Sequence, residues 1–86
     1  VFAHGTLSLE FYAPRGADEQ RTHTRDELYV IASGSGSFKN GDVRHRFAAG
    51  DALFVPAGTV HRFEDFSDDF GTWVMFYGPA GGETGT

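Results

Sequence analysis

Cysteine is absent from this 86-residue chain. Its absence excludes disulfides, thiol nucleophiles and thiolate-held zinc or iron–sulfur centres. Basic residues are scarce: seven stand against twelve acids, for a formal charge of −5. That balance argues against a surface that grips nucleic acid through its phosphates. Long apolar runs are missing too. The longest, Leu28–Ala32 and Trp73–Tyr77, hold five residues each, against roughly 20 for a membrane-spanning helix. No membrane partner is expected. No signal peptide is legible, and a cytoplasmic location is the expectation. The first residue is Val1 rather than Met, so a trimmed N-terminus is expected. The length supports one domain. A core this small commonly leans on a metal or a partner copy. Without Cys, such a metal would be held by His and carboxylates.

What the chain does have is glycine, twelve residues, and aromatics, thirteen. These favour turns and strands. The apolar period is two. Leu7, Leu9 and Phe11 alternate with Ser8, Glu10 and Tyr12, the pattern of a half-buried strand. Further strands are expected at 28–32, 37–39, 42–47, 52–55, 60–66 and 73–77. Asn40-Gly41 predicts a type I′ hairpin turn. No window carries an amphipathic helix. Seven or eight short strands with frequent turns describe an all-β sandwich or barrel. Residues 1–78 form the expected domain. Residues 79–86, rich in glycine, form a tail expected to be poorly ordered.

Two segments carry chemistry. Arg21-Thr22-His23-Thr24-Arg25-Asp26-Glu27 places His23 and Glu27 four apart, on one face of an extended chain. Gly50, Pro56, Gly58 and His61 form the second. Two imidazoles and a carboxylate on neighbouring strands make a facial triad for a divalent metal. In this the sequence resembles the cupin family, whose paired motifs read G-x5-H-x-H-x3,4-E-x6-G and G-x5-P-x-G-x2-H-x3-N. His23, Glu27 and Gly34 stand at the first motif's positions, and Gly50, Pro56, Gly58 and His61 at the second's. Arg21 replaces the first motif's leading His, Arg15 its first Gly, and Asp65 the second motif's closing Asn.

The resemblance implies a double-stranded β-helix, the jelly-roll barrel. It also implies a divalent ion (iron, manganese, nickel, zinc or cobalt) on His23, Glu27 and His61. The competing reading of these three is an empty barrel in which the imidazoles hydrogen-bond Glu27 and water. Arg21 cannot lend a lone pair. Its side chain either faces inward to anchor a substrate anion or turns outward to pair with Glu19 or Asp26. Gln20 is a candidate weak ligand, and Tyr29 and Phe63 are candidate pocket residues. Phe38, Phe47, Phe54, Trp73 and Met75 are candidates for core or pocket wall. Asp65 either orients His61 or is a solvated turn residue. His4 and His45 have no assigned role. The expected function is a metal-dependent enzyme of dioxygenase, isomerase or decarboxylase type acting on a small organic acid or phenolic compound. The alternative is a non-catalytic binding or sensor module. A homodimer is expected in either case.

Overall fold

The structure is a computed structural model that describes residues 1–83. Alternating side chains and glycine turns yield eight strands: β1 (Phe2–His4), β2 (Leu7–Tyr12), β3 (Asp26–Ser33), β4 (Ser35–Asn40), β5 (Val43–Ala48), β6 (Ala52–Val55), β7 (His61–Glu64) and β8 (Gly71–Tyr77). No helix occurs among the described residues. All strand pairs are antiparallel, in a five-stranded sheet ordered β1-β2-β8-β3-β6 and a three-stranded sheet ordered β5-β4-β7.

The expected all-β class is observed. The two sheets do not, however, close into a barrel through any strand ladder among the described residues. The edge strands β1 and β6 hold three and four residues, and each pairs on one side only. The second sheet is widened instead by one bridge beside β7, where Arg21 and His61 exchange backbone hydrogen bonds of 3.0 and 2.9 Å.

Register decides which side chains face the other sheet, because residues opposite one another share a face. Glu27 pairs with both Val55 and Phe76, and Tyr29 with both Leu53 and Val74. This set points inward, with Glu27, Tyr29, Val55 and Val74 buried. The neighbouring rows therefore point outward. Phe54 and Trp73 are 48% and 37% exposed, and Met75 shares their face, paired with Leu28. This corrects the expectation of core or pocket wall for these three. Their strands were legible; their parity depended on how β3 pairs.

Phe38, Phe47, Phe63, Phe70 and Ile31 pack between the sheets at the end away from Glu27's mouth. Phe63 lies 4.7 Å from Phe70, 4.8 Å from Phe38 and from Tyr29, and 5.4 Å from Phe47, ring centre to ring centre. Burying each such ring contributes about 1.5–3 kcal/mol. The backbone is pinched here. A Cβ on Gly34 would lie 2.6 Å from Phe70 Cα, and one on Gly36 would lie 2.8 Å from Phe66 Cα. The β3–β4 corner is also tied to the following loop by Ser67 N–H donating to the Ser35 carbonyl at 2.8 Å.

The hairpin between β4 and β5 forms one residue later than expected. Asn40 pairs with Val43, so Gly41 and Asp42 are the central residues. Only Gly41 has positive φ, at 62°, the requirement of type II′ rather than I′. Asn40 is free to donate its side-chain amide to the Phe54 carbonyl at 2.9 Å. The C-terminal segment is anchored where it is described. Gly81 N–H donates to the Thr24 carbonyl at 2.6 Å, and Glu83 N–H to Asp26 at 2.9 Å. The rest of the expected loose tail, 84–86, lies outside the described residues.

Candidate metal centre

Each part of the site has a backbone reason for its position. Glu27 sits on the inner face of β3, between β6 and β8. His61 opens β7, delivered by the Pro56–Gly58 bend. Gly58 N–H donates to the His23 carbonyl at 2.7 Å, so the bend of the second motif holds the segment that carries the first. Asp26 joins the same knot by accepting the Ala57 N–H at 3.0 Å. Together with the Glu83 N–H, these donors hold its carboxyl below the ordinary carboxylate value.

One atom from each of His23, Glu27 and His61 lies within 4.8 Å of the other two. Glu27 and His61 are each 1% exposed. His61 Nδ1–H donates to the Thr59 carbonyl at 2.9 Å, which leaves the lone pair of the neutral ring on Nε2. That Nε2 lies 3.1 Å from Glu27 Oε1. In that tautomer neither atom carries a hydrogen, and both are buried without a hydrogen-bond partner. While His61 is neutral, two orphaned acceptors facing each other beside a second imidazole are costly in an empty pocket. Their chemistry fits a cation that takes lone pairs. Burial works against charging His61, but the Glu27 carboxylate and Thr59 carbonyl outweigh it and hold the ring above its ordinary value.

A cavity of about 190 Å³ opens beside this group, lined among others by Tyr12, Arg21, His23, Glu27, Tyr29 and Phe76. Burial, and then the neighbouring Glu27 carboxylate, push the Tyr29 phenol up. Arg21 faces the cavity. Its cation is not paired with Glu19 or Asp26: Nη2 donates to Tyr12 Oη at 2.8 Å and to Asp18 Oδ1 at 3.1 Å. Asp18 also accepts the Tyr12 hydroxyl and, on Oδ2, the Phe63 N–H at 2.9 Å. Burial, followed by the Asp18 carboxylate, pushes the Tyr12 phenol up to about 12.

His23, Glu27, His61, Arg21 and Tyr29 are thus brought together. Gln20 is not: it is exposed and absent from the cavity lining, because the adjacent Arg21 takes the inward position opposite His61. Phe63 belongs to the aromatic core rather than to this cavity. Asp65 is exposed at the end of β7 with φ of 49°, a left-handed turn position that Asp tolerates; Thr59 orients His61 in its place. Two residues escaped the sequence reading. Tyr12 was read only as the polar side of its strand, and Asp18 lay in a uniformly charged stretch with no periodicity to single it out.

Residues 8–77 match the Cupin domain family. An uncharacterized protein of Streptomyces coelicolor is 36% identical over 62 residues, 72% of this chain. The chain spans 59% of that relative's length. In structure it is similar to a cupin 2 conserved barrel domain protein from Rhodopseudomonas palustris, with TM-score 0.76 and 19% identity over 93% of this chain and 59% of the other. It is also similar to the DMSP lyase DddQ from Ruegeria pomeroyi, with TM-score 0.71 and 26% identity over 85% of this chain and 39% of the other. The family match runs through both motifs to the end of β8, and on that ground the chain belongs to the cupin domain family.

Proposed function

We propose that this domain binds one divalent metal through His23, Glu27 and His61, and that the loaded pocket takes a small organic ligand. The observation that carries the reading is the pair of orphaned buried acceptors, Glu27 Oε1 and His61 Nε2, with His23 within reach of both. Iron, manganese, nickel, zinc and cobalt all suit an oxygen and nitrogen donor set. A bound ion would supply a Lewis acid that polarises an oxygen of the ligand. The chain's own residues orient the donors: Thr59 fixes the His61 tautomer, and the Asp26 knot holds the loop that carries His61 against the segment that carries His23. A pocket of this size admits a small acid or phenolic compound, and the enzymatic form of the reading is a dioxygenase, isomerase or decarboxylase. The likeness to a lyase supports an enzymatic role.

One observation favours the second reading, a binding or sensor module without turnover. Arg21 stands where the first motif's leading His would be, a change that fits a pocket kept without chemistry. The test begins with protein stripped by chelator and titrated calorimetrically with Zn(II) and Mn(II). One ion per chain is expected, with affinity falling about 100-fold or more in His61→Ala. No binding, or binding indifferent to His61→Ala, overturns the metal site. Turnover of a panel of small acids and phenols then separates enzyme from module.

A further inference from the structure

We propose that the ligand of this pocket is a small carboxylate, anchored by Arg21, and that Asp18 and Tyr12 position the anchor; this rests on the metal-site reading above. Arg21 stands directly opposite His61 across a backbone bridge, so its side chain leaves on the same face as the metal donors. The guanidinium is braced rather than consumed. Nη2 is committed to Tyr12 and Asp18, and Nε to the Glu19 carbonyl at 3.3 Å. The Nη1 edge makes no hydrogen bond among the described residues. The counter-charge sits behind the arginine: Asp18 has a side chain 2% exposed, is absent from the cavity lining, and has its oxygens taken by Arg21, Tyr12 and the Phe63 N–H. A ligand entering the cavity therefore meets the guanidinium and not its carboxylate. A cation whose Nη1 keeps both its N–H donors suits a carboxylate better than a neutral hydroxyl.

Glu27, and Glu10 on the exposed part of the lining, oppose an incoming anion in the metal-free pocket, so tight carboxylate binding requires the loaded form. The experiment compares benzoate with benzamide and lactate with lactamide, by calorimetry, on Zn(II)-loaded and stripped protein. In the loaded protein each carboxylate should bind about tenfold or more tighter than its amide. Arg21→Gln should erase that preference without weakening Zn(II) binding, and Arg21→Lys should restore part of it. Asp18→Asn, which keeps an acceptor for the Phe63 N–H, should weaken carboxylate binding with Zn(II) affinity unchanged. Equal affinity for acid and amide, or a preference that survives Arg21→Gln, overturns the anchor. Failure of Zn(II) to bind the wild-type protein would instead overturn the metal reading.

Discussion

The two ends of the space between the sheets solve opposite problems. At one end Phe38, Phe47, Phe63 and Phe70 fill the gap with rings 4.7–5.4 Å apart. At the other, Glu27 and His61 are as buried as those rings yet present acceptors with no donor. One end lowers the free energy of the fold; the other, while His61 is neutral and no ion is bound, gives some of it back. Stability and function are therefore separable by position along a single strand. On β7, His61 serves the mouth and Phe63, two residues later, serves the core.

Substitution at the core should give the largest effect. Phe63→Ala removes a ring 1% exposed and should cost about 3–5 kcal/mol, read as a lower urea midpoint. A loss under about 1 kcal/mol would mean that the aromatic end is not the cohesive one. At the mouth the expected sign reverses. Above the raised value of His61, where its ring is neutral, Glu27→Gln gives Nε2 an amide donor, so the metal-free protein should hold its stability within about 1 kcal/mol or gain some, while Zn(II) binding is lost. If the metal-free variant instead melts like Phe63→Ala, the division of labour between the ends fails.

The third effect is smaller and depends on pH. In the metal-free protein His61 is held above its ordinary value of 6.5. Its contribution to stability is thus full below about 6.5 and is lost as pH rises through the raised value. In the loaded protein the rings must be neutral to bind the ion, so Zn(II)-linked stability grows over the same interval. Unfolding midpoints measured from about pH 5 to about pH 9 with chelator and with Zn(II) should slope in opposite directions. Parallel slopes would show that the ion does not reach His61.

The mouth was more legible in the sequence than the architecture around it. Short-range spacing carries the motif residues: His23 to Glu27 and Gly50 to His61 are local intervals. Strand existence was legible for the same reason, since alternation is local. What was not legible depended on long-range pairing. Nothing near β8 says that Trp73 and Met75 point outward; that follows from their register with β3. Asp18 was hidden in the same way, because its partners Tyr12 and Phe63 come from β2 and β7. The three-residue β1 left too little pattern to be read. The Asn40-Gly41 turn slipped by one position because the β4–β5 register, rather than the dipeptide, chose its centre.

The glycine corner at Gly34 and Gly36 lets the two layers rest against each other through backbone. With no room for one added carbon against Phe66 and Phe70, a methyl at either position would have to push the layers apart, and Gly34, with φ of 83°, would be strained besides. The closeness of the layers at the ring-filled end thus depends on two side chains that the chain does without.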